Sequence, residues 1–216
     1  QSVGTAGIEF HKVSRTVSSA AVIGYYAWVS NPLDALHVLY SAEVPGTCSG
    51  HLQVLERAAT EGCLFATTGS PALAHAAEEC GNVVADGAIV QAHNRTLVSF
   101  GITKSGILAI GSMTDFDIRL LEFQQLLSGS EWLVRSGKDL FAPLTSARSA
   151  HTVIGADIKG RVLLFVAEGD AEWNEGLTPL ELSQWLMDIG AHAAISLDSA
   201  SSVAVLDGHM VSRGAP

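Results

Sequence analysis

Short apolar runs punctuated by glycine recur along the chain. The segments IEFHKV (8–13), AAVIGYYAWV (20–29), ALHVLYSA (35–42), GNVVADGAIVQ (81–91) and LVSFGI (97–102) read as strands. GILAIG (106–111), EWLVRSG (131–137), RVLLFVAEG (161–169) and AAISL (193–197) do the same. Asp86-Gly87 and Ser105-Gly106 supply hairpin-turn chemistry. Helical signals are fewer: HLQVLERAATEG (51–62) and PALAHAAEEC (71–80) predict short helices. The clearest helix is TPLELSQWLMDIG (178–190), with Thr178 at the N-cap, Pro179 at the first helical position and Glu181 completing a capping box. Leu182, Trp185, Leu186 and Ile189 follow at helical spacing, and Gly190 ends it. Strands outnumber helices without βα alternation. The expected fold is therefore α+β: a mostly antiparallel mixed sheet with a few short helices, in one domain over 1–216.

A chain of 216 residues, 48% apolar and only 16% charged, buries a full core and is not a disordered polymer. The formal charge of −10 makes nucleic acid and anionic membrane unsuitable partners. Protonating all 8 histidines would bring that sum to −10 + 8 = −2, so an acidic compartment changes the surface. No apolar run is long enough to span a bilayer as a transmembrane segment. There is no Met start and no signal peptide, so Gln1 is expected to mark a processed or trimmed terminus. Asn94-Arg95-Thr96 is an N-glycosylation sequon beside a turn, and Cys48, Cys63 and Cys80 lack metal-ligand spacing. In a secretory lumen, at the cell surface or in secretion, three cysteines imply one disulfide and one leftover thiol.

Candidate chemistry is sparse. No nucleophile elbow, phosphate loop, zinc-binding helix motif or dinucleotide fingerprint occurs, and the histidines are scattered, so neither metal nor cofactor is implied. Trp132, Trp173 and Trp185 could stack on a sugar. Trp185 belongs to the apolar helix face and hence to the core, whereas Trp173 in the polar stretch GDAEWNEG (169–176) is a contact candidate. In AAISLDSASSVAV (193–205) a lone carboxylate, Asp198, sits among small residues between two apolar runs. It is either a working acid or a turn cap.

Six segments in fixed order extend this reading: EGCLFATTG (61–69), ECGNVVADG (79–87), LLSGSEWLVRSGK (126–138), SAHTVIGADIKGRVLLFVAEG (149–169), GLTPLELSQWL (176–186) and ISLDSASSVAVLDG (195–208). Together they resemble the phosphodiester glycosidase family, from about residue 31 to about residue 210. Framework pieces match: Gly81-Asn82-Val83-Val84 a strand entry, Leu126-Leu127-Ser128-Gly129 a turn, Ile154-Gly155 with Lys159-Gly160 a hairpin, and Gly176-Leu177-Thr178 with Glu181 a helix start.

The chemical pieces depart. Where the family has Asn-Gly/Ala-Gly-Phe/Tyr-Phe, this chain reads Thr68-Gly69-Ser70-Pro71-Ala72. Where the family has Arg-Thr-Ala-Ile-Gly, it reads His151-Thr152-Val153-Ile154-Gly155, and one imidazole donor replaces a bidentate guanidinium. Arg148, three residues earlier, would point to the other face of a strand. Where the family has Asn-Leu-Asp-Gly-Gly-Gly-Ser, it reads Ser196-Leu197-Asp198-Ser199-Ala200-Ser201-Ser202, so either the turn has re-formed differently or side chains fill a backbone anion cradle.

The resemblance implies a cleft at Thr68, Gly69, Ser70, Thr152, Ser199, Ser201 and Ser202, with Asp198, Glu168 and His151 as its vestigial catalytic set. It also implies a Cys48–Cys80 disulfide, and a Cys63 that is buried and free or bonded to another chain. Losing one charged phosphate contact removes about 1.5–3 kcal/mol. The expected function is thus that of an inactive binding or assembly module, with a protein partner or second chain and a carbohydrate or phosphate ligand. The alternative is a divergent hydrolase that removes a GlcNAc-like sugar from a phosphodiester, with Asp198 as acid/base, Glu168 as second carboxylate and His151 as phosphate or leaving-group contact.

Overall fold

The computed structural model describes residues 2–5, 7–17, 20–40, 54–69, 81–140, 147–198 and 202–213. The elements open with β1 (Ser2–Thr5), β2 (Ile8–Val17), β3 (Ala20–Val29), α1 (Pro32–Ala35), α2 (Val54–Thr60) and β4 (Phe65–Thr67). There follow β5 (Val83–Ala85), β6 (Ala88–Gln91), β7 (Leu97–Thr103), β8 (Leu108–Met113), α3 (Asp115–Leu121), β9 (Phe123–Ser128), β10 (Glu131–Arg135) and β11 (Lys138–Asp139). The chain continues through β12 (His151–Ala156), β13 (Val162–Ala167), α4 (Pro179–Asp188), β14 (Ala193–Asp198), β15 (Ala204–Leu206) and β16 (His209–Met210).

The strands form an 8-stranded sheet in the order β1-β2-β3-β13-β12-β14-β10-β11, a 5-stranded sheet β6-β5-β9-β7-β8 and a 3-stranded sheet β16-β15-β4. Every pairing described is antiparallel. This is the α+β, mostly antiparallel, single-domain fold expected from the sequence.

The large sheet is covered on both faces. On one face Val153, Leu163, Phe165 and Ala167 meet Leu182, Trp185 and Leu186 of α4. On the other, Ile154, Val162, Leu164, Ile195 and Leu197 pack with Phe100 and Ile102 of β7. Tyr25 and Val166 meet Ala204 of β15 on that second side. Alternate residues along β13 therefore enter different cores, which explains its unbroken apolar run.

Helix α4 begins as predicted: Thr178 Oγ1 accepts from the Glu181 amide, and Glu181 answers to the Thr178 amide. The expected hairpins form at Asp86-Gly87, Ser105-Gly106 and Lys159-Gly160. Three local readings are corrected. Residues 35–42 were expected as a strand, but Pro32 starts a single helical turn, and the Val38 amide donates to Gln125 Oε1 (3.0 Å) rather than to a strand neighbour. Leu126-Leu127-Ser128 belongs to β9, not to a turn. Helix α3 has no counterpart in the expectations: it rests on a Thr114–Asp117 capping box and buries only Ile118. The expected helix at 71–80 lies outside the described residues.

One close approach holds the sheet centre together. A Cβ on Gly155 of β12 would stand 2.6 Å from the Ala193 carbonyl oxygen of β14. Gly155→Ala should therefore cost about 1–3 kcal/mol in chemical denaturation. Gly111→Ala, where a Cβ meets nothing within 4 Å, should change stability by less than about 0.5 kcal/mol.

Candidate functional site

Strand order places the candidate catalytic positions at one end of the large sheet. His151 opens β12 opposite Ala167, so Glu168 follows directly at the end of β13. Thr152 lies between Val166 on one side and Asp198, the last residue of β14, on the other, beside a register shift. From the neighbouring sheet, Thr68 reaches across: its hydroxyl is 2.8 Å from that of Thr152. Two of the three divergent motifs thus touch, and the third joins them through the backbone of Asp198. Thr68 is half-buried and Gly69 exposed. Ser70, Ser199, Ser201 and the side chain of Asp198 lie outside the described residues, as do Cys48 and Cys80.

His151 and Glu168 do not face each other. His151 is 4% exposed, and its Nε2 lies 2.9 Å from the Leu177 carbonyl oxygen and 3.3 Å from Ser149 Oγ. A carbonyl only accepts, so Nε2 carries the proton and the ring is directed to the α4 side. Glu168 lies on the opposite face, with Tyr25. One carboxylate oxygen accepts from the Tyr25 hydroxyl (3.2 Å) and from the Arg213 amide (3.0 Å), and the other stands 3.5 Å from Arg213 Nε. Burial, reinforced by the Glu168 charge and hydrogen bond, pushes the Tyr25 hydroxyl up to about 12.

A cavity of about 480 Å³ opens beside Glu168. Val17, Val22 and Ile23 supply apolar wall; Arg148, Asp170, Glu175, Ser202 and Arg213 supply the polar lining. Arg148 precedes β12 and is engaged: its guanidinium donates to the Gly176 carbonyl (2.9 Å) and to Glu181 (2.7 Å), and its amide to Asn174 Oδ1 (2.9 Å). Burial alone would raise the Glu181 carboxyl, but hydrogen bonds from Arg148 and Thr178 outweigh it and hold the group below its usual range. Gly176 takes φ +106 and packs against the Ser149 carbonyl, which closes the loop onto β12.

Trp185 is core at 5% exposed, as expected, and Trp132 is half-buried beneath Arg135. Trp173 is 74% exposed. Cys63 carries a free thiol that burial, followed by Glu61, pushes above its ordinary range. Among the described residues no group of three or more His, Cys, Asp or Glu could hold a metal ion, and no helix is long and apolar enough to cross a membrane.

A family model described as phosphodiester glycosidase matches residues 58–215, most of the chain. The chain belongs to the phosphodiester glycosidase family. Two curated relatives of this phosphodiester glycosidase domain are the N-acetylglucosamine-1-phosphodiester α-N-acetylglucosaminidases of Mus musculus and Homo sapiens. They are 30% and 29% identical over 95% and 97% of this chain, and over 45% of each relative. The chain therefore spans about half the length of the curated relatives it matches. Among solved structures, the zebrafish N-acetylglucosamine-1-phosphodiester α-N-acetylglucosaminidase catalytic domain, auto-inhibited by its pro-peptide, matches with TM-score 0.83 and 27% identity. That match covers 96% of this chain and 76% of the other. A hypothetical protein from Synechocystis shares the fold at TM-score 0.68 and 14% identity, over 97% and 60% of the two chains.

Tyr25 and Arg213, which hold Glu168, carried no sequence signal: one lies inside an apolar run and the other 45 residues downstream of its partner. The Tyr25 shift gives a direct check. Because the folded-state value lies above the ordinary 10.0, its contribution to stability is complete below about pH 10 and is lost as pH rises toward 12. Glu168→Gln should lower the pH at which Tyr25 ionises, with burial alone keeping it above the ordinary value; phenolate absorbance in an alkaline titration reads this.

Proposed function

We propose that this phosphodiester-glycosidase domain keeps its fold and cleft for binding rather than turnover, as a binding or assembly module. The observation that carries this reading is the divergence of His151 and Glu168 to opposite faces of the large sheet, each taken up by hydrogen bonds within the fold. Hydrolysis of a sugar phosphodiester needs an acid and a base within reach of one bond. The replacement of the family's Asn, Arg and glycine cradle by Thr68, His151 and Ser199-Ala200-Ser201 supports the same conclusion. The natural occupant of such a cleft is a carbohydrate, a phosphate or a partner chain.

The deciding experiment is hydrolysis of GlcNAc phosphodiesters between about pH 5 and pH 7, the range over which histidine changes charge. Wild type and Asp198→Ala should be indistinguishable. Turnover by wild type above that control would instead establish a divergent hydrolase using Asp198, Glu168 and His151.

A secretory route, in the lumen, at the cell surface or in secretion, belongs to the same proposal. Asn94, Arg95 and Thr96 are exposed where the chain bends between β6 and β7, open to a glycosylating enzyme. Secreted material should lose mass on N-glycan removal, and Asn94→Gln should abolish that loss. Electrophoresis of the same material without reductant should report the Cys48–Cys80 bridge as faster migration, and a partner held through Cys63 as a higher-mass band.

A further inference from the structure

We infer that the outer edge of β8 is a self-association surface, on which a second copy of this chain pairs antiparallel about a two-fold axis at Ile110. This goes beyond the binding-module reading and holds whether or not the domain turns over a substrate. The hydrogen-bond phase of β7 and β8 shows what the edge offers. The Thr103 amide donates to the Ile107 carbonyl (2.9 Å), whereas the Val98 carbonyl turns away from β8 and accepts from the Gly129 amide (2.8 Å). In this register Ala109, Gly111 and Met113 bond to β7, and the alternate residues Leu108, Ile110 and Ser112 direct N–H and C=O outward. β8 ends the 5-stranded sheet, so among the described residues no further strand takes up these groups.

The other sheet edges are blunted. β11 is 2 residues long and both are charged, and β16 is also 2 residues long. β4 has 3 residues, β1 and β6 have 4 each, and β6 meets β5 across a register shift. β8 runs for 6 residues with no proline, no charge and no register shift against β7. An edge of that kind is a template for another strand.

The occupant that fits is the same strand. A two-fold axis at Ile110 sets Ile110 against its own copy and Leu108 against Ser112 of the second copy. Each outward residue then donates one hydrogen bond and accepts one, which makes six across the junction. Leu108 and Ile110 are half-buried at the margin of the core that holds Phe100, Ile102, Ile195 and Leu197, and pairing continues that core into the second copy. On the other face Ala109 packs with Ile118 of α3, and alternation puts Ile107, 63% exposed, on that face too. The axis brings Ile107 of each copy beside the start of the other's α3, where Phe116 is 72% exposed. No charged residue lies between Lys104 and Asp115, and the two Asp115 residues stand about 30 Å apart, beyond the screening length. A chain of net charge −10 thus meets itself here without like charges opposed.

The test is sedimentation of the whole chain, with reductant present, over about a hundredfold range of concentration. A reversible monomer–dimer equilibrium is expected, with no larger species, because a two-fold junction closes on itself. By NMR, amide exchange at Leu108, Ile110 and Ser112 should slow as the dimer fills, while Ala109, Gly111 and Met113, already bonded to β7, should not change. Gly111→Lys enters open space in the single chain but sets two ammonium groups diagonally across the junction, and should weaken dimerisation about tenfold. Ser112→Pro removes an outward N–H from each copy and should weaken it by about tenfold as well. Ile158→Lys adds the same charge at an exposed turn between β12 and β13 and should have no effect. A monomer at every concentration would overturn the junction, as would a dimer seen only without reductant, which would be a disulfide link. Equal effects of Gly111→Lys and Ile158→Lys, or exchange at Leu108, Ile110 and Ser112 that ignores concentration, would overturn it too.

Discussion

All six positions of each strand of the antiparallel pair β12–β13 are buried. Antiparallel sheets commonly leave one face wet. Here both faces must be covered, so α4 has to lie on one side and the smaller sheets on the other. The loops at the strand ends are then the places where function can be carried.

Burial of the strand ends also governs the chemistry there. Polar groups that enter a dry layer need partners. His151 finds the Leu177 carbonyl, Thr152 finds the Thr68 hydroxyl, and Glu168 finds Tyr25 and Arg213. The Thr68–Thr152 contact ties one sheet to the next, whereas Glu168 follows β13 and Tyr25 lies on the neighbouring strand β3. The same constraint makes Ser202 stand out, as a buried hydroxyl without a hydrogen-bond partner among the described residues.

The persistence of framework glycines follows from distance. The backbones at Gly129, Gly155 and Gly176 come too close to neighbouring carbonyls to admit a side chain. Such positions are held by packing whatever the domain does. Ser199, Ala200 and Ser201 stand where the resemblance to the family puts glycines.

Much of the architecture was legible because its causes are local. The Thr178–Glu181 capping box and the apolar spacing behind it specify α4 within 13 residues, and turn pairs such as Asp86-Gly87 specify their hairpins. Residues 35–42 misled because their alternating apolar pattern is real: Leu36 and Val38 are buried, but the Val38 amide is satisfied by a side chain 87 positions away. The candidate site followed the same division. The sequence by itself determined the layers' apolar patterning, the start of α4 and which family motifs had changed. Only tertiary structure decided that Thr68 meets Thr152 across 84 residues, that Glu168 is held by Tyr25 across 143, and that His151 turns to the opposite face. Propensities and caps act over a few neighbours along the chain, whereas the partners of buried polar groups are set by which strands the layers bring side by side.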